Sequence, residues 1–398
     1  MSADLTLPAR LLMGSGPTNP DPRVLRAMAT GLVGQFDPAF TALMADTQDR
    51  LRQVFRTRNR STFPVPGTSR AGMEAAVVSL VEPGERVVVV ENGRFGLLFE
   101  EIARRAGAEV TVVRAPWGEP VDPDDVGRCL DATPAAAVLV VHAETSTGVM
   151  NPVREVATAA HRQGAVVVVD AVCSFAGAPL ETDAWELDVV VAGTQKCLGC
   201  PSGLGPITYS DAVAARMARR RSPIRSNYLD LTQIDRYWSP ERLNHHTAPT
   251  TMVYGLREAL GIVLEEGVDA RIARHRAAGA AMAAGLAALG LERYGQPPGP
   301  GKMPMLAPVL VPNGVDDAAF RSRLLETHGV EIMGAFGSLA GRIWRIGTMA
   351  GNARPAAVSR TLGALADALG TPARGALRDA LAAADQHFDG LARAPAPA

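Results

Sequence analysis

Five near-continuous apolar runs, Arg86 to Val90, Glu109 to Val113, Ala137 to Val141, Ala165 to Val169 and Asp188 to Ala192, dominate the first half of this chain. Runs of this length without polar alternation make strands that are covered on both faces. Segments of helix length, beginning near Ser69, Arg94, Asp122 and Pro152, precede the first four. Strand and helix therefore alternate, which predicts an α/β fold with a mostly parallel sheet flanked by helices. Such a sheet leaves its ligand site beyond the carboxyl ends of the strands, so the residues just after each run are the candidates for chemistry.

At 398 residues the chain exceeds what one core organises, and two domains are expected. Residues 1–20 read as an extended arm ending at Asp21 and Pro22, an N-cap followed by an N1 proline. A helix is expected from Pro38 to Phe55, and residues 21–262 form the expected large domain. Beyond about Gly261 the composition turns rich in Ala and Arg, and a Pro/Gly-rich PPGPG turn, a strand LAPVLV, a helix from Asp316, a short strand near Val330 and IWRIG follow. Residues 263–398 therefore read as a smaller α+β domain whose tail frays at ARAPAPA.

Forty basic residues against forty-one acidic ones give a formal charge of −1. That balance offers no field to nucleic acid or to an anionic membrane and points to a small-molecule partner. The four cysteines, Cys129, Cys173, Cys197 and Cys200, are too few for a disulfide scaffold, and the N-terminus lacks a signal-peptide pattern. No apolar run reaches membrane-spanning length, so a cytoplasmic protein is expected.

Asp170 follows the fourth run and Lys196 follows the fifth. Two strands ending at one edge, one delivering a carboxylate and the other an amine, form the skeleton of a pyridoxal phosphate site. The amine condenses with the cofactor aldehyde and shuttles a proton, and the carboxylate keeps the pyridine ring protonated. The alternatives are a solvated lysine and an Asp that caps a turn. Pro66-Gly67-Thr68-Ser69-Arg70-Ala71-Gly72 opens a helix with small and hydroxyl residues, which suits either a phosphate or a plain N-cap. Phe95 can stack on a flat ring or serve the core. The loop His142 to Gly148 carries hydroxyls, Thr145 among them, that suit a cofactor oxygen or an ordinary polar turn. Arg345, inside the apolar WRIG strand, suits a substrate carboxylate or an internal acid. His245 and His246 do not make a metal site, because adjacent side chains of an extended segment point apart, and the Cys197/Cys200 pair has no second CxxC.

Taken in order, MGSGPTNPDP, PGTSRAGMEAA, EPGERVVVVENGRFG, HAETSTGV, VVDAV, GTQKCL, HHTAPT and WRIG resemble the class V aminotransferases, in particular the alanine–glyoxylate and serine–pyruvate branch, along nearly the whole chain. The resemblance implies the pyridoxal-phosphate-dependent transferase fold type I. It implies Lys196 as the Schiff-base lysine and Asp170 as the partner of the pyridinium nitrogen. Thr68, Ser69 and Arg70 then fall on the phosphate turn, with Arg70 where the family commonly has histidine. Phe95 matches the stacking aromatic, often a tryptophan. Thr145 and Gln195 match cofactor-contacting positions, Arg345 the substrate carboxylate clamp, and Thr247 a residue reaching the phosphate from the other subunit of a homodimer.

Two departures bear on substrate. Gln35 stands where the alanine–glyoxylate enzymes carry a histidine, and Asn244 where they carry a tyrosine. Two primary amides complement a ureido group better than a methyl or hydroxymethyl group. This pattern is similar to the (S)-ureidoglycine–glyoxylate aminotransferases of purine breakdown, which implies amino transfer from ureidoglycine to glyoxylate. Alanine– or serine–glyoxylate transamination is the alternative, with cysteine desulfuration or a non-enzymatic pyridoxal-binding regulator behind it.

Overall fold

A computed structural model describes residues 6–295, 301–370 and 374–392. Residues 296–300 of the Pro/Gly-rich turn and the terminal residues 393–398 lie outside the described residues. The chain divides into two compact units, Pro20–Ala273 with Gly295–Met303, and Met1–Asn19 with Arg274–Tyr294 and Pro304–Ala398. The N-terminal segment thus groups with the C-terminal residues, because Leu11–Leu12 pairs in parallel with Val330–Glu331.

In the larger unit seven strands make one sheet: β1 (Ser61–Pro66), β2 (Arg86–Glu91), β3 (Glu109–Arg114), β4 (Ala137–Val141), β5 (Val166–Asp170), β6 (Val189–Val191) and β7 (Leu204–Tyr209). Their order is β1-β7-β6-β5-β4-β2-β3. Only β7 runs against the others, pairing antiparallel with both β1 and β6. Each apolar run identified in the sequence is a strand, and every residue of β4 is buried. The strand LGPITY escaped the reading because it holds a glycine and a proline, residues depleted in strands, and no valine run.

Helices Ser69–Leu80, Arg94–Ala106, Pro123–Ala132 and Val153–Arg162 cross between the strands. Asp21, Asp37 and Asp122 cap their helices with a side-chain oxygen on a backbone N–H, each followed by proline at the first helical position. Register sets Val141 of β4 opposite Asp170 of β5, and Asp170 opposite Val191 of β6. Three strands therefore end together. The strand order reverses between β4 and β2, the switch point at which ligands enter open α/β sheets.

The smaller unit has its own sheet, β8 (Leu306–Leu310), β9 (Met333–Gly334) and β10 (Ile343–Gly347), in the order β8-β10-β9, all antiparallel. Its core centres on Trp344, stacked on Phe320 with ring centroids 4.2 Å apart, while the indole N–H donates to Asp317 Oδ1 at 3.0 Å. Among the described residues no helix is long and apolar enough to cross a membrane.

Candidate active site

Lys196 lies in the loop after β6, where the Gly199 N–H donates to its carbonyl at 3.0 Å and the Cys200 N–H to the Thr194 carbonyl at 2.9 Å. These turn bonds fold the chain back on itself and bury the lysine to 8% exposure, which excludes a solvated surface role. Asp170 closes β5 at 4% exposure, with Oδ1 accepting from the Val172 N–H at 2.8 Å. Burial pushes its carboxyl up to about 7; the Val172 N–H pulls it down, the Glu144 charge pushes it up and the Lys196 ammonium pulls it down. The carboxylate and the amine therefore share one electrostatic environment at one sheet edge, as their places after adjacent strands demand.

The helix Ser69–Leu80 starts at Thr68, whose side chain makes no capping bond. Gly67 precedes it at φ +116°, a conformation open to glycine and strained for other residues. Ser69 is buried and its Oγ accepts from Gln195 Nε2 at 3.0 Å, which ties the phosphate-type turn to the residue before Lys196. Arg70 is exposed. Gln195 Oε1 is buried with no hydrogen-bond partner. Phe95 is half-buried at the start of its helix and Thr145 is buried in the loop after β4.

Gln35 and Asn244, 209 positions apart, are hydrogen-bonded: Gln35 Nε2 donates to Asn244 Oδ1 at 3.2 Å. The Ala248 N–H donates to Gln35 Oε1 at 2.8 Å, which orients the amide by giving its oxygen the backbone donor. Thr247 and Asn244 are exposed. In the smaller unit, Arg345 is buried in β10, its Nε donating to the Gly334 carbonyl at 2.8 Å and its guanidinium 4.5 Å from the Phe336 ring centroid. Stacking on one side and a hydrogen bond at one end hold the planar fork in a single orientation.

One expectation is corrected. The side chains of His245 and His246 do not point apart: the chain bends at His246 and brings their Nδ1 atoms to 2.9 Å. Burial, then the neighbouring His245, hold His246 down at about 4, so the pair does not carry two charges.

Glu144 went unread in the sequence. Its carboxylate is fully buried and accepts from Phe95 N, Gly96 N, Ser146 N and Ser146 Oγ at 2.9, 3.2, 3.0 and 2.6 Å. The signal was an acid three residues beyond the buried strand Ala137–Val141, at a position where a carboxylate is rarely enclosed without partners.

These residues fit pyridoxal phosphate. An uncapped helix start suits the phosphate, a buried carboxyl the ring nitrogen, a half-buried phenyl the ring face and an enclosed amine the aldehyde, while the buried Gln195 Oε1 finds no donor within the protein.

The aminotransferase class-V family model matches residues 12–339. The (S)-ureidoglycine–glyoxylate transaminase of Bacillus subtilis is 45% identical, across 87% of this chain and 87% of the relative. The alanine–glyoxylate aminotransferase of Drosophila melanogaster is 32% identical, across 92% and 93%. The crystal structure of the ureidoglycine–glyoxylate aminotransferase from Bacillus subtilis superposes with a TM-score of 0.94, covering 97% of this chain and 100% of that one. With this match over most of its length, and an amine and a carboxylate at the shared end of β5 and β6, the chain belongs to the class V aminotransferases, pyridoxal-phosphate-dependent enzymes of fold type I.

Proposed function

We propose that this enzyme transfers the amino group of (S)-ureidoglycine to glyoxylate, giving oxalurate and glycine, as a step of purine (allantoin) catabolism. The observation that carries the substrate assignment is the hydrogen-bonded Gln35–Asn244 pair. With Gln35 Oε1 held by Ala248 N–H, the pair turns amide N–H groups outward, and a ureido carbonyl is the acceptor they match. A donor without that carbonyl leaves these groups unpaired, which discriminates strongly. The Bacillus subtilis relative, named for the same reaction, supports the reading.

When bound, the cofactor supplies an electron sink that lets the α-carbon of the donor ionise. Lys196 Nζ takes the α-proton from the donor and, in the second half of the cycle, gives a proton to the carbon that becomes the glycine α-carbon. Its enclosure excludes water from that transfer. Asp170 holds a proton on the ring nitrogen. The N–H groups at Thr68, Ser69 and Arg70 take the phosphate together with the helix dipole, and Gln195 holds the Ser69 hydroxyl. Thr145 and Phe95 bound the ring. Arg345 takes the donor carboxylate on its oriented fork.

A homodimer is part of the proposal. Leu32 and Phe36, beside Gln35, are 70% and 56% exposed, the kind of apolar surface that a partner covers. Thr247, exposed in the same chain, then serves the partner's phosphate site. Four free cysteines support a reducing, cytoplasmic location.

A second reading, alanine–glyoxylate transamination, is favoured by the Drosophila relative. Desulfuration is disfavoured because Cys173, Cys197 and Cys200 are all buried and none sits on an exposed loop. The test is a donor panel of ureidoglycine, serine and alanine against glyoxylate. Ureidoglycine is expected to exceed alanine in kcat/KM by about 100-fold or more; equal values would transfer the assignment to the second reading.

A further inference from the structure

We infer that Glu144 is a positioning residue that holds Phe95 and the Thr145–Ser146 turn as one rigid wall of the cofactor site. The inference rests on the reading of Phe95 as the residue against the cofactor ring.

The helix Arg94–Ala106 begins at Gly93, which has no side chain to cap it, and no acid lies in its first turn. Glu144, in the short strand Ala143–Glu144, provides the cap and the acid: Oε2 accepts from the Phe95 and Gly96 N–H groups and faces the positive helix end. Burial pushes the carboxyl up, and the hydrogen bonds from Ser146, Phe95 and Gly96 pull it back down. Oε1 meanwhile accepts from the backbone and hydroxyl of Ser146. One carboxylate thus joins the loop after β2 to the loop after β4, across the place where strand order reverses. Gly93 belongs to the same device, since a Cβ there would lie 2.4 Å from Glu144 Cδ and 2.6 Å from Ser146 Oγ. A serine or aspartate at position 93 would cap the helix locally without enclosing a charge. What the buried carboxylate adds over a local cap is the tie between Phe95 and Thr145.

In Glu144→Gln, one acceptor oxygen becomes an NH2 group, and on either side of the amide it faces N–H or O–H donors. Apo-enzyme is titrated with pyridoxal phosphate and followed by visible absorbance and induced circular dichroism. Glu144→Gln is expected to weaken binding about 10-fold or more and to change the dichroic signal. In a Phe95→Ala background the same substitution is expected to weaken it less than about 3-fold, because the effect passes through Phe95. Wild-type affinity in Glu144→Gln, or an undiminished penalty in the Phe95→Ala background, would overturn the inference while leaving the stacking reading intact. Wild-type affinity in Phe95→Ala alone would overturn the stacking reading and this inference with it. Ser146→Ala, which keeps the carboxylate and removes one bond to it together with the hydroxyl that accepts from the Arg94 N–H at 2.9 Å, guards against misfolding: a roughly 3-fold loss that vanishes with Phe95→Ala supports the assignment, and no loss overturns it.

Discussion

The floor and the rim of the large-unit site are built on opposite physical terms. The floor consists of strand ends and the tight turns just beyond them: Asp170, Glu144 and Lys196 are all enclosed, and Glu144 and Lys196 act electrostatically on Asp170. The proposed rim consists of loops: Asn244 is exposed, and Gln35 is held to it by one side-chain hydrogen bond of 3.2 Å. Enclosed charges are strong and intolerant of change, whereas exposed amides are replaceable at small structural cost. The chemistry common to a family therefore belongs on the floor, and the choice of donor belongs on the rim.

If that division holds, the largest effect comes from Lys196. Lys196→Ala is expected to lower turnover by at least about 1,000-fold while the fold, followed by circular dichroism, persists. A variant with near-normal single-turnover rates would remove the floor from the mechanism.

Asp170→Asn is expected to cost about 100-fold in kcat and also to reveal the price of burial in the apo-enzyme. With its carboxyl raised to about 7, the folded protein holds a proton that the unfolded chain releases near its ordinary value of 3.8. Stability should therefore fall as pH rises between about 4 and 7, by at most about 1.4 kcal/mol per pH unit, and level off above. Thermal melting of apo wild type against apo Asp170→Asn measures this: the variant gains relative stability up to pH 7 and no more beyond. Parallel melting curves at all pH values would show that Asp170 ionises as freely as on a surface.

Asn244→Tyr probes the rim. It is expected to reduce the ureidoglycine-to-alanine ratio of kcat/KM about 10-fold, the worth of one hydrogen bond left unmade, with little change in melting temperature. An unchanged ratio would mean that the amide pair does not read the donor. The smallest effect is expected from Phe95→Trp, where the larger ring should tighten cofactor binding about 3-fold by titration.

Much of this molecule is legible in its residues because the inner strands of its large sheet are covered on both faces, while the edge strand Glu109–Arg114 is only partly buried. A strand buried on both faces must be continuously apolar, so Ala137–Val141 and Val166–Val169 announce themselves. Asp170 and Lys196 could be paired for the same reason, since Asp170 directly follows one such run and Lys196 comes shortly after the next. Leu204–Tyr209 could not, because Gly205 and Pro206 break the pattern while neighbours on both sides still supply its partners. Glu144 was equally hidden: its four donors come from residues 95, 96 and 146, and an acid in a two-residue strand gives no sign of them. The bend that turns His245 onto His246 is likewise a product of packing against Tyr228 and Tyr237.

The linear chain suffices for the α/β alternation, the edge at which the site lies, and the amine and carboxylate that define its cofactor, because periodicity and residue chemistry are local properties. Three-dimensional packing alone decides that Gln35 and Asn244 share a hydrogen bond, that Ser69 and Gln195 are tied, and that Glu144 joins two loops. Those relations join residues up to 209 positions apart, and no local pattern encodes which buried group will find which donor.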